Sequence, residues 1–347
     1  MSIQFSGPDP AQLDGPFVGA KYAHLAANSD RAMFMVASSQ SGYGGNRLMA
    51  LDPATGLYSV SNEVDSNWAH GFAFDVGNVT GSGVDSILVG TATLYNSYFT
   101  AYDFLSNTET WSSTPSNIVS SQVTEIDVTH GDLTGDGVDD AIGIGSDGHV
   151  TVWDVKNQTV VWSNTSLNGA QRVAVADMDG DGVKEIIALA GDRVVIYARS
   201  GSIYIERASY SLIGTDMLVA DTDGDGKPEV YVLGYGQGAD PIMYVLNNQL
   251  QLTTSYAVPN AIAVYLEAST FARKNLVVAT SVTSGIYYPY TTSPQLMIID
   301  PLSGAQIWTS PSLLGILGKN ALSFKDTNGD GQLEMVFGSA YGMFVTR

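Results

Sequence analysis

Apolar residues recur along this chain in runs of five to seven, alternating or continuous, and Gly, Asn, Asp or Ser closes each run. Helical spacing is almost absent. Short runs of this kind between turn residues predict strands, so the pattern predicts an all-β array. One stretch shows the unit in full: strand A "RVAVA" from 172, an acidic loop, strand B "EIIALA", strand C "RVVIYA", the turn "RSGS" and strand D "IYIERA".

The acidic loop returns. "HGDLTGDGVDDAIGIG" begins at 130, "VADMDGDGVKEIIALA" at 175, "VADTDGDGKPEVYVLG" at 219 and "FKDTNGDGQLEMVFGS" at 324. Their first acids, Asp132, Asp177, Asp221 and Asp326, are separated by 45, 44 and 105 residues, the last gap being about two periods. The missing unit is "YLEASTFARKNLVVATS" from 265, with Glu267 in the first position and its other acidic positions decayed. Upstream, "GNVTGSGVDSILVG" from 77 and "YAHLAANSDRAMFMVAS" from 22 keep the outline.

Seven units with a period near 45 suit a propeller, whose blades are four-stranded sheets around a channel. The last unit lacks an outer strand, and "SIQFS" at 2–6 is available to supply it. The expectation is a single seven-bladed β-propeller over 1–347, its ring closed by the N-terminal strand. The blades are placed at about 17–62, 68–115, 122–165, 170–208, 213–257, 260–310, and 319–347 with 2–6.

Within each loop, oxygen-bearing side chains fall at positions one, three, five and nine, and position seven adds a backbone carbonyl. The candidate metal ligands are Asp132, Thr134, Asp136, Val138 and Asp140; Asp177, Asp179, Asp181, Val183 and Glu185; Asp221, Asp223, Asp225, Lys227 and Glu229; and Asp326, Asn328, Asp330, Gln332 and Glu334. A hard divalent cation takes six to eight oxygens, and alternate carboxylates on a tight loop supply them. Glycines at positions four and six allow the turn. An EF-hand would close at position twelve between helices; here the last acid stands at nine between strands. The alternative reading is that Asp-Gly pairs merely form turns.

Charge changes the picture. With 15 basic and 35 acidic residues the net charge is −20, which argues against nucleic acid and anionic membranes. About four Ca²⁺ would bring it to −12, counting +8 for the ions. The absence of cysteine excludes disulfides and thiolate chemistry. No run is long and apolar enough for a membrane helix, and the opening "MSIQFSGPDPAQLDG" does not read as a signal peptide.

The loops and strands together resemble the FG-GAP (integrin α-chain-like, VCBS-type) repeats, in units three, four, five and seven above all. Unit two carries Asn78, Thr80, Ser82 and Ser86 and no carboxylate; units one and six have lost the set. The resemblance implies a seven-bladed propeller with structural calcium between strands A and B, and a place outside the cytosol, extracellular or at the cell surface. "LDPATGLYSV", "WDVKNQTVVW" and "IDPLSGAQIW" resemble hairpins of quinoprotein-like propellers, where Trp162 and Trp308 would be packing residues and no quinone site is implied.

Ligand candidates lie on the B–C loops, away from the acidic ones: Tyr43, Tyr95, Tyr98, Tyr235, Tyr287, Tyr288 and Tyr290. Tyrosine offers a flat apolar ring with a polar tip, suited to a glycan or a protein; capping of blade edges is the plainer alternative. Asp127, Arg172 and Asp216 occupy matching strand-A positions, as a ligand clamp or a salt-bridged plug. His70, with Asp127 and Arg172, would carry catalysis if the protein were a polysaccharide lyase or hydrolase; His130 reads as a packed strand residue. The sequence favours a non-enzymatic, monomeric, calcium-stabilised adhesion or binding module, with a protein-assembly scaffold as a further alternative.

Overall fold

The computed structural model describes residues 3–6, 17–26, 29–36, 47–52, 55–64, 70–92, 97–113, 125–235, 241–258, 261–263, 268–271, 274–281, 295–310, 317–326, 334–339 and 342–346. Among them every regular element is a strand. None is a helix long and apolar enough to cross a membrane.

The strands are β1 (Ile3–Ser6), then β2 (Phe17–Ala26), β3 (Ser29–Val36), β4 (Arg47–Leu51) and β5 (Tyr58–Glu63), which form the first sheet. The second holds β6 (His70–Gly77), β7 (Ser86–Ala92), β8 (Ser97–Asp103) and β9 (Thr108–Ser112). The third holds β10 (Glu125–Gly131), β11 (Asp140–Gly145), β12 (Val150–Asp154) and β13 (Thr159–Asn164). The fourth holds β14 (Arg172–Ala176), β15 (Glu185–Leu189), β16 (Arg193–Ser200) and β17 (Ile203–Ser211). The fifth holds β18 (Gly214–Ala220), β19 (Glu229–Tyr235), β20 (Pro241–Leu246) and β21 (Leu252–Ala257). In the sixth, β22 (Ala261–Ala263) and β23 (Ala268–Phe271) both pair β24 (Lys274–Ser281), followed by β25 (Gln295–Ile299) and β26 (Gln306–Thr309). The seventh is β27 (Leu317–Lys325), β28 (Glu334–Ser339) and β29 (Gly342–Thr346), completed by β1.

Among the described residues the ladders are antiparallel and join consecutive strands, except β22 on β24 and β1 on β29, the latter placing Ser6 opposite Phe344 and Ile3 opposite Thr346. The chain divides into two compact units: Met1–Ala170 with Asn320–Arg347, and Gln171–Lys319. In the first, sheets one, two, three and seven bury one another's faces. Phe74, Ile87 and Val89 meet Met33, Met35 and Leu48; Val336 joins Phe34 and Met49; Phe99 and Trp111 join Val128 and Ala141. In the second unit, Ile187, Leu189 and Ile196 pack on Val230 and Val232, and Tyr231 and Met243 pack on Met297 and Ile299. Removing such apolar faces from water is the main drive for stacking the sheets. Glycine lets two first strands approach closely: a Cβ on Gly77 would stand 2.4 Å from the His130 ring.

Two details differ from the pattern read in the sequence. The "RSGS" turn is tighter, because β16 runs through Ser200 and β17 starts at Ile203. Gly201, at φ +66°, takes the left-handed conformation of a two-residue hairpin. In the first sheet no acidic loop intervenes between β2 and β3, which pair as far as Ala26 opposite Ser29. In the sixth, β23 occupies the loop's place and pairs Lys274 with Phe271. In these two sheets, where the acids are gone, strand pairing continues into the place of the loop.

The outer strands share a feature that the sequence did not disclose. Each of five has a β-bulge at the same point of its ladder, leaving one residue without an opposite partner: Thr110, Val161, Arg207, Thr253 and Ile307. A bulge redirects a side chain. Thr110 Oγ1 donates to the Ala101 carbonyl at 3.0 Å and Thr253 Oγ1 to that of Val245 at 2.9 Å.

Candidate metal centre

Three acidic loops are described throughout, and they share one scheme. The first aspartate accepts the N–H groups of both glycines: Gly135 and Gly137 on Asp132 at 2.6 and 2.9 Å, Gly180 and Gly182 on Asp177 at 2.7 and 2.8 Å, Gly224 and Gly226 on Asp221 at 2.8 and 2.9 Å. The fifth position accepts from the seventh, Val138 on Asp136, Val183 on Asp181 and Lys227 on Asp225, at 2.8–2.9 Å. The ninth reaches back to the second, taking the N–H of Leu133 on Asp140, Met178 on Glu185 and Thr222 on Glu229 at 2.7–2.9 Å. The glycines at positions four and six all have φ between +80° and +87°. A carboxylate oxygen that accepts one N–H keeps a second lone pair, so the scheme leaves acceptors turned inward.

The ninth acid begins strand B in each sheet; Asp140 and Glu185 are buried, at 2% and 3% exposed, and Glu229 is half-buried. Burial pushes all three carboxyls up, against the N–H groups they accept, and takes Asp140 to about 6. Burial also pushes Asp177 up, but the N–H groups of Gly182 and Gly180 outweigh it and leave the acid below its ordinary range. The fourth sheet's loop thus favours an ionised first acid, while burial disfavours the charged form of the ninth acid in all three loops.

The donor sets differ in how they meet that need. In the fifth sheet, Asp221, Asp223 and Asp225 bring carboxylate oxygens within 4.8 Å of one another, and in the fourth Asp177, Asp179 and Glu185 do the same. Oxygen donors at that spacing fit a hard cation such as calcium. The third sheet forms no such group among the described residues. There Lys156 Nζ stands 3.0 Å from Asp136 Oδ2, and its hydrogen bond holds that acid below the usual range. In the fourth sheet Arg207 Nη1 donates to Asp179 Oδ2 and lies 3.7 Å from Glu185 Oε1. Neither basic residue was singled out in the sequence; the signal was an arginine on an outer strand where related units carry Thr, Val or Ile.

The other candidates are distributed as follows. Asp326 directly follows β27 and Glu334 begins β28, while Asn328, Asp330 and Gln332 lie outside the described residues. The second sheet's loop keeps the glycine geometry, Gly81 at +71° and Gly83 at +82°, with Thr80 Oγ1 donating to Ser82 Oγ at 3.0 Å. Arg172 Nε donates to Asp216 Oδ1 between first strands of the fourth and fifth sheets, both buried. Asp127 is buried on β10 opposite Ile144. His70 begins β6 opposite Ala92. His130 joins the first strands of the second and third sheets, its Nδ1 2.8 Å from Asp75 Oδ2. Burial lowers the His130 pKa, but Asp75 more than offsets it and the net shift is upward. Of the tyrosines, Tyr98 is partly buried on β8 opposite Thr91, and Tyr235 ends β19 opposite Pro241. Tyr43, Tyr95, Tyr287, Tyr288 and Tyr290 lie outside the described residues. Trp162 is partly buried on β13 opposite Val152, and Trp308 on β26 opposite Ile298.

Sheets of this kind, stacked face to face and joined as antiparallel meanders, define a β-propeller fold. Solved structures agree. The chain is similar to BBS1N, crystallised in complex with ARL6DN and soaked with lead, at a TM-score of 0.66 and 9% identity, over 95% of this chain and 92% of that one. It is equally similar to BBS1N in the same complex soaked with mercury, at a TM-score of 0.66 and 10% identity, over 96% and 93%. At such identity the likeness is one of fold. No protein-family model matches the chain, and no curated protein matches it in sequence.

Proposed function

We propose that the chain is a single seven-bladed propeller, closed by β1 on β29, that acts as a non-enzymatic binding module for a protein ligand outside the cytosol. Calcium taken up by acidic loops between the first two strands of a blade would stiffen one face, and the B–C loops with their tyrosines would meet the ligand on the other. The observation that supports the metal part is the shared loop scheme, in which backbone N–H groups orient the acids and leave acceptors for an ion. The protein-ligand part draws on the likeness to BBS1N, whose crystals contain ARL6DN. Fold alone does not carry function, so the test addresses binding directly.

The purified chain is held in millimolar calcium and offered neutral and acidic polysaccharides and, separately, candidate surface proteins, with retention and cleavage both scored. Binding of a purified protein that is lost in the Tyr287→Ala/Tyr288→Ala/Tyr290→Ala variant supports the reading. Retention of a polysaccharide moves the ligand class to glycans, and cleavage abolished by His70→Ala makes the protein an enzyme. In the same material, calcium at a hundredfold excess over its Kd stabilises by about 2.7 kcal/mol per site. A melting temperature unmoved between calcium and EDTA would remove the metal from the proposal.

A further inference from the structure

We infer that Arg207 is the resident cation of the fourth sheet's acidic loop, so that this loop is neutralised by the chain itself and takes no divalent ion while Arg207 is in place. The inference rests on reading the loops as cation sites and changes how many of them an ion can fill.

Position comes first. Arg207 is the bulged residue of β17, the place held by Thr110, Val161, Thr253 and Ile307 in the other outer strands. The two threonines turn inward to a neighbouring strand's carbonyl. Arg207 instead reaches the loop of its own sheet, donating to Asp179 Oδ2 and standing 3.7 Å from Glu185 Oε1. Those are two of the three acids whose oxygens converge there, the third being Asp177.

Chemistry comes second. A guanidinium is charged at every relevant pH, and its planar set of donors suits carboxylate pairs. Glu185 is 3% exposed, and a buried carboxylate needs a positive or hydrogen-bonding partner at each oxygen. Met178 N–H satisfies Oε2 and Arg207 faces Oε1. An ion entering between Asp179 and Glu185 would have to displace the guanidinium or share their oxygens with it, against repulsion of like charge. In the fifth sheet the residue at the matching bulge is Thr253, which donates to the Val245 carbonyl instead of reaching an acid, while Asp223 and Asp225 accept the N–H groups of Asp225 and Lys227.

The test is calcium titration by calorimetry into the EDTA-treated, dialysed full chain, with bound ions counted by native mass spectrometry. Arg207→Gln is expected to add one ion per chain, or to tighten one site at least tenfold, while Arg207→Lys stays close to wild type. Asp223→Asn should remove an ion from the wild type and Asp179→Asn should remove none, a comparison that stands even if Arg207→Gln fails to fold. Unchanged stoichiometry and affinity in a folded Arg207→Gln protein, with calcium bound by the wild type, overturns the role of Arg207 alone. So does loss of an ion in Asp179→Asn. Absence of binding in wild type and variant alike overturns the reading of the loops as cation sites, and the inference with it.

Discussion

The acidic loops of the fourth and fifth sheets have the same backbone and different electrostatics. In both, the first aspartate takes the N–H groups of two glycines in the left-handed conformation, and the ninth acid takes the N–H of the second residue. In one, an arginine from the outer strand sits on the acids; in the other, three aspartates face one another. Loop shape is therefore set by backbone N–H groups held on acid side chains and by glycine, whatever neutralises the charge. The cation is a separate problem that each blade can solve in its own way, and the second sheet, with no carboxylate at the first, third, fifth or ninth position, keeps both glycines left-handed without the problem.

The largest effect expected from this comparison comes from deleting the first aspartate. Asp177→Ala and Asp221→Ala each strip two glycine N–H groups of a charged acceptor. Hydrogen bonds to charged groups contribute about 1.5–3 kcal/mol each, less where water can replace them, so a loss of about 2–3 kcal/mol is expected in either loop. In EDTA the two variants should match within about 0.5 kcal/mol by chemical denaturation. In excess calcium Asp221→Ala should fall further behind its parent than Asp177→Ala. Unequal costs in EDTA would break the claim of a common frame.

The sequence made the frame legible and left the cations hidden. Repetition exposed the loops, because alternate acids and paired glycines recur at fixed offsets from strand B, and the same spacing placed the strands. The outer strand β1 could be paired with β29 because the last unit was short by one strand. Arg207 and Lys156 escaped because they reach the acids from 28 and 20 residues away, across a sheet whose register the pattern did not fix. The bulge that aims Arg207 leaves no mark on the order of apolar and polar residues. His130 was read as a packing residue, and its partner Asp75 was not seen at all, since 55 residues and a neighbouring sheet separate them.

A smaller effect tests the glycines. Gly182 and Gly226 have φ of +87° and +85°, and a Cβ added to either meets nothing within 4 Å. Alanine there costs only the left-handed backbone, about 1–2 kcal/mol, with no clash to add. The costs of Gly182→Ala and Gly226→Ala should agree with each other, with and without calcium. A much larger loss at Gly226 in calcium would mean that ion binding distorts the frame which the two loops otherwise share.

The finest distinction is carried by pH. Burial raises Glu185 and Glu229 above their ordinary 4.5, so the folded protein holds these protons more tightly than the unfolded chain does. Metal-free stability should accordingly fall as pH climbs from 4.5 through the raised values, because the unfolded state binds fewer protons in that window. Glu185→Gln and Glu229→Gln each remove one part of that slope in a denaturation series from roughly pH 4 to 8, the range that spans raised carboxyl titrations. The parts respond differently to an added ion. On the proposal that the fifth loop takes calcium with Glu229 among its ligands, the ion would compete with the Glu229 proton and erase the part that Glu229→Gln erases. Arg207 already faces Glu185, so the part belonging to Glu185 should persist in calcium. If calcium flattened both parts alike, the fourth loop would be taking an ion in spite of Arg207, and the difference between the two loops would reduce to how tightly each one binds.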